Sequence, residues 1–131
     1  MERRRVYSGT PWEPRVAYSR AVRVGNIIAV SGTVAADASG EVVGADVYEQ
    51  TRYVLDKIGR ALRTLGADFG DVIRTRTYLI DIKSFDDFAR AHREVFAGID
   101  PAATCVEVSR LVSPELLVEI EVDAVVAQGV E

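Results

Sequence analysis

The 131-residue sequence predicts a single α+β domain spanning 1–131. Three observations predict it. Val47, Thr51, Val54, Leu55, Ile58, Leu62 and Leu65 recur at helical spacing, and so do Phe85, Phe88, His92, Val95 and Phe96. Several other short stretches alternate in polarity or are rich in β-branched residues, as strands are. Two helices can cover only one face of a sheet. The expected architecture is a mixed β-sheet with both helices packed on one face, and the other face turned to water or to a second subunit.

The elements follow in order. Arg5–Ser8 reads as a short first strand. Gly9–Pro14 reads as a loop, because Pro11 and Pro14 oppose regular structure. Ala17–Val24 and Ile27–Thr33 form a hairpin around Gly25-Asn26, where a leading glycine suits a type II′ turn. Ala35–Gly44 is polar and reads as a loop. Asp46 caps the first helix, with Glu49 placed for a capping box, and Gly66 stops it. Val72–Ile80 is a strand. Ser84 caps the second helix. Thr104–Val108 and Val118–Asp123 close the chain as two strands.

Composition excludes several function classes. Net charge is −4, and fourteen of the sixteen basic residues are arginines spread among acids. The one basic run is Arg3-Arg4-Arg5. This balance argues against a nucleic-acid partner, which favours a clustered basic surface. No apolar run approaches ~18 residues, so no membrane span is expected. The N-terminus lacks the apolar core of a secretory signal, and the lone cysteine suits a reducing compartment, so the cytoplasm is the expected location. One histidine and one cysteine offer no cluster of ligands, so no metal is expected.

The closing segment Pro101–Asp123 carries the chemistry. By alternation, Cys105 and Glu107 point one way on their strand, and Thr104, Val106 and Val108 the other. Glu119, Glu121 and Asp123 share a face opposite Val118, Ile120 and Val122. Carboxylates and a cysteine on one sheet face are costly to bury dry and useful around a wet pocket. The order Pro-Ala-x-Thr-Cys-Val-Glu-Val followed by Glu-Ile-Glu resembles the YjgF/RidA family of imine deaminases. Arg20–Asn26, Val30-Ser31-Gly32, Gly66-Ala67 and Asp71-Val72-Ile73 extend the resemblance over about Tyr18 to Val126.

The resemblance implies a chorismate-mutase-like fold and a homotrimer with clefts between subunits. It implies cofactor-free hydrolysis of a small-molecule enamine or imine metabolite. It places Tyr18, Ser31, Gly32, His92, Ala103 and Cys105 around the substrate, with Glu121 holding the attacking water or moving protons. The family usually has arginine where this chain has Ala103, and a methyl group cannot grip a carboxylate. The expected substrate is therefore something other than a 2-imino acid, and a non-catalytic metabolite-binding trimer is the alternative. An endoribonuclease role, a label some relatives carry, is weakened by the acidic balance. Arg20, Arg23, Arg74 and Arg76 are candidate substitutes for the missing arginine. Cys105 reads as pocket wall rather than nucleophile, since no activating base stands beside it in the sequence.

Overall fold

The structure is a computed structural model that describes residues 2–127. Its elements run β1 (Arg3–Val6), α1 (Trp12–Val16), β2 (Ala21–Val24), β3 (Ile27–Val34), α2 (Val47–Thr64), β4 (Val72–Leu79), α3 (Phe85–Phe96), β5 (Ala102–Glu107) and β6 (Val118–Val125). The strands form one sheet in the order β1-β2-β3-β6-β4-β5. Neighbours are antiparallel except β4 and β5, which are parallel and joined through α3, as a parallel pair requires a crossover. The last strand thus slots between β3 and β4.

Both long helices lie on one face, as the periodicity predicts. The α2 stripe Val54, Leu55, Ile58, Leu62 and Leu65 is buried against Ile28, Val30, Ile120 and Val122 of the sheet. Along β6, Val118, Ile120, Val122 and Ala124 are buried, while Glu119, Glu121 and Asp123 alternate with them on the open face. The end of α2 is a Schellman motif. Gly66 takes φ +83°, the Ala67 N–H donates to the Leu62 carbonyl at 2.9 Å, and the Gly66 N–H donates to that of Arg63 at 3.1 Å. Gly25 is left-handed at φ +63° and Asn26 is not, as the predicted hairpin turn requires.

Several expectations are corrected. Trp12–Val16 is helical although it contains Pro14. Pro14 is the third helical residue, where an N–H has no intrahelical acceptor, so nothing is lost. The first strand lies earlier than expected, at Arg3–Val6, and β2 begins only at Ala21, because Ala17 ends α1 in a left-handed conformation at φ +70°. The Asp46 carboxylate caps the Glu49 N–H at 2.8 Å, but Glu49 reaches back to the Ala45 N–H, one residue beyond the capping-box partner. Ser84 sits at the N-cap of α3 without capping it. Its hydroxyl donates to the Asp81 carbonyl, because a 3-10 turn over Ile82–Ser84 already leads into the helix.

The N-terminal segment is pinned by a buried ion pair. Glu13 and Arg20 are 3% and 4% exposed, and their charges stand 3.3 Å apart. Glu13 also accepts from the Ser8 N–H at 3.0 Å and from the Ser8 hydroxyl. Burial alone would raise the Glu13 carboxyl. The Ser8 hydrogen bonds and the Arg20 charge outweigh it, and the net direction is down. Glu13→Ala leaves a buried guanidinium uncompensated and is expected to cost about 3–5 kcal/mol in denaturant unfolding. A loss within ~0.5 kcal/mol, the range of ordinary surface substitutions, would show that the pair does not anchor the segment.

Candidate functional site

The predicted site residues fall into two groups. Tyr18, Ser31, Gly32 and Glu121 line one cleft of about 510 Å³, together with Trp12, Arg20 and Glu119. His92, Ala103 and Cys105 line another of about 640 Å³, walled by Phe85, Phe88 and Phe96. A single chain does not bring the two groups together. The reason is register. Cys105 pairs with Thr77 and Ala103 with Thr75, and both threonines are buried on the helix side of the sheet. Glu121 pairs with Arg76 on the opposite face. The expectation that Cys105 shares the helix-free face is therefore corrected. Ala102, Thr104 and Val106 are the β5 residues on that face. Alternation within β5 was legible, but its phase relative to β6 was not, because β4 separates them.

The first cleft forms where β3 departs from regular pairing. The β3–β6 register shifts between Val30 and Thr33, around Ser31-Gly32. A Cβ on Gly32 would stand 2.1 Å from Glu119 Oε2, so the carboxylate rests directly on the glycine backbone. Arg20 supports this corner from below. Its Nη1 donates to the Gly32 carbonyl at 2.6 Å and to Thr33 Oγ1 at 3.1 Å, and its Nη2 donates to the Tyr18 hydroxyl at 3.3 Å. Arg20 is thus a structural brace, not a free ligand for a substrate carboxylate. Ser31 is also committed: its N–H donates to the Arg20 carbonyl and its hydroxyl to the Ser19 carbonyl. Both Ser31 donors are thus spent within the fold and are not free for a ligand in this arrangement.

The two carboxylates at the cleft are in different states of engagement. Glu121 Oε1 accepts from Arg76 at 3.3 Å and from the Tyr78 hydroxyl at 3.2 Å. Arg76 also contacts Asp123 at 3.3 Å, so this arginine is held in a ladder of acids. Glu119 makes no ion pair or side-chain hydrogen bond among the described residues. Burial and then the neighbouring Glu121 charge push the Glu119 carboxyl up, against a smaller pull from Arg20. A raised, unengaged acid can give and take protons near neutrality better than one clamped by arginine. Glu119 is the functional candidate that sequence reasoning passed over. The clue available was its place one alternation step before Glu121 on the same face.

In the second cavity, His92 shares a 3.0 Å hydrogen bond with Thr75 Oγ1. Its ring lies between Phe88 and Phe96, with centroids at 5.3 and 4.6 Å. His92 packs under the sheet and also walls this cavity. Burial raises the Cys105 thiol, which disfavours the thiolate and fits a pocket wall. Ala103 is exposed at the cavity edge, where a longer side chain has room. Trp12 is half-buried against Val34, Ala36 and Leu116, and it flanks the first cleft. Among the described residues no group of acids, histidine and cysteine stands close enough to hold a metal ion. No helix of the described residues is long and apolar enough to cross a membrane.

Residues 10–126 match the family described as Endoribonuclease L-PSP. The chain is 34% identical over 114 residues to the 2-iminobutanoate/2-iminopropanoate deaminase of Rattus norvegicus, covering 86% of this chain and 81% of that one. It is 38% identical over 110 residues to a RutC family protein of Pyrococcus abyssi, covering 83% and 86%. A crystal structure of a YjgF/YER057c/UK114 family member from Mycobacterium tuberculosis is 42% identical, with a TM-score of 0.89, covering 95% of this chain and 100% of that one.

Burial lowers the His92 imidazole, and no other influence on it is resolved. As the sole histidine, it gives one NMR titration, whose midpoint is expected below ~6.5. Because the folded value is depressed, its contribution to stability is fully present above the unfolded value and is lost as pH falls from there through the folded value. A midpoint above ~6.5 would mean that a carboxylate such as Asp100, on the same cavity wall, reaches the ring.

Proposed function

The chain belongs to the Endoribonuclease L-PSP family, the YjgF/RidA family, and on that premise we propose that it is a small-molecule cleft protein that hydrolyses an enamine or imine. The observation that carries this reading is the Glu119 carboxyl, raised by burial and resting on Gly32 in an open cleft. Water adds to the carbon of the C=N bond while Glu119 takes one of its protons and hands it to the nitrogen. The second proton, from the new hydroxyl, follows to the nitrogen as the C–N bond breaks, giving a carbonyl compound and ammonia. Glu121, held by Arg76 and Tyr78, keeps the neighbouring charge that raises Glu119.

The two half-sites become one if a second copy of the chain sets its β5 edge against the first cleft. That is the geometric case for a homotrimer with clefts between subunits. The open face offers suitable material, since Ile27, Ile73 and Val106 are exposed beside the Arg76–Glu121–Asp123 ladder. A substrate without a carboxylate, or with one gripped elsewhere, suits Ala103. The same residue favours the alternative reading of a trimer that binds a metabolite without converting it. The acid balance and the engagement of Arg20 and Arg76 in internal pairs speak against RNA as substrate.

Multi-angle light scattering is expected to give about three times the chain mass at micromolar concentration. A monomer there would sink the shared-cleft reading. In an assay of ammonia release from an imine formed in situ by an amino-acid oxidase, Glu119→Gln is expected to lower turnover by about 10²–10⁴-fold. With 2-iminopropanoate, Ala103→Arg is expected to raise a slow wild-type rate by on the order of tenfold or more, through a charge-assisted carboxylate clamp. A wild type that binds small carbonyl compounds yet releases no ammonia from any imine tried would favour the non-catalytic alternative. An Ala103→Arg variant that assembles normally and gains nothing would show a pocket shaped for another ligand.

A further inference from the structure

Among the described residues three charged side chains are buried: Glu13, Arg20 and Lys57. Glu13 and Arg20 satisfy each other. Lys57 does not share in that pair, and no carboxylate among the described residues forms an ion pair with it. It projects from α2, is 8% exposed, and donates one hydrogen bond, from Nζ to the Ala36 carbonyl at 2.9 Å. An ammonium carries three N–H donors, so two are left over. A buried cation held by a single carbonyl is costly, and a purely structural position would be served better by an apolar side chain.

Its location gives that cost a use. Lys57 stands in the wall shared by two cavities. One is the Glu119 cleft with Tyr18, Ser31 and Gly32. The other, of about 330 Å³, shares Arg20 and Lys57 with it and is edged by Tyr7, Ser8, Asp37 and Arg60. Burial, followed by the Arg20 charge, lowers the amine to about 8. Roughly a tenth of the molecules then carry a neutral, nucleophilic amine at pH 7.

We propose that Lys57 is a carbonyl-capturing residue, whose amine condenses with a small imine, aldehyde or 2-oxo acid entering the Glu119 cleft. With an imine, the Nζ lone pair adds to the carbon of C=N. Both protons of the neutral amine pass in turn from Nζ to the substrate nitrogen. The bond from carbon to that nitrogen breaks, ammonia leaves, and a Schiff base to Nζ remains. Water then adds to the carbon, the bond to Nζ breaks, and the carbonyl compound departs with the amine restored. The sum is imine plus water giving carbonyl plus ammonia, with no oxidant or reductant. With an aldehyde or oxo acid, the first step expels water instead. The proposal rests on the cleft reading above for its ligand class, and adds a covalent step that reading does not need.

The sequence makes the test clean, because Lys57 and the exposed Lys83 are its two lysines. The full-length protein is incubated with pyruvate, and separately with butyraldehyde, in the presence of sodium cyanoborohydride, and modified peptides are mapped by mass spectrometry. Reduced adduct at Lys57 is expected to exceed that at Lys83 and at the N-terminal amine by about tenfold. Label on Lys83 or the terminus at an equal or greater level, or none at Lys57, would overturn the proposal. This readout needs no variant and no turnover. Ammonia release by Lys57→Arg and Lys57→Met, each checked for unchanged assembly, is expected to fall at least tenfold. Release unchanged in both would overturn the covalent step while leaving hydrolysis through Glu119 intact. Trapping at Lys57 in a wild type that releases no ammonia would support the capture site and reject the hydrolase reading.

Discussion

The buried Glu13–Arg20 pair is the constraint on which the first cleft depends. One guanidinium spends its donors on Glu13, the Gly32 carbonyl, Thr33 and the Tyr18 hydroxyl. Those contacts hold the α1 turn, the start of β2 and the irregular stretch of β3 in one arrangement. Glu119 can lie on Gly32 only because the backbone there has no Cβ and is kept in place from beneath. A pair of buried charges is a weak source of net stability compared with apolar packing. It is a strong source of geometry, since a guanidinium has few ways to satisfy all its donors at once.

Topology makes the second constraint. Inserting β6 between β3 and β4 puts its acids opposite Arg74, Arg76 and Tyr78 on the uncovered face. It also pushes β5 to the edge of the sheet, beside β4 alone. The edge strand carries Ala103 and Cys105 toward α3, so their cavity is bounded by the phenylalanines of that helix and not by the acids. Each chain thus has an acidic corner with Glu119 and Glu121, and an aromatic corner walled by the α3 phenylalanines.

Much of this was legible in the sequence where local chemistry decides the outcome. The α2 stripe, its Asp46 cap, the Gly66 stop, the Gly25 turn and the alternation of β6 depend on nearest neighbours and on period. The failures share a cause. Pro14 reads as a breaker until its place in the first helical turn is known. The phase of Cys105 against Glu121 depends on β4, which lies elsewhere in the chain. Choosing between Glu119 and Glu121 depends on which one Arg76 reaches. Lys57 carried no signal, because a lysine inside an amphipathic helix normally lies on the wet face. Its burial follows from the loop around Ala36 folding over α2, which no periodicity records.

The positions of positive charge tie these points together. This chain has a methyl group, Ala103, at the aromatic corner and a buried ammonium, Lys57, at the acidic corner. A fixed guanidinium binds an anion and does no covalent chemistry. A desolvated amine binds anions less selectively but can attack a carbonyl carbon. The kind of cation therefore matters for more than where a substrate is held. A buried amine favours ligands defined by an electrophilic carbon over ligands defined by a carboxylate. Glu119 remains within the same cleft to carry protons for either kind, so the acid can be retained while the substrate class diverges.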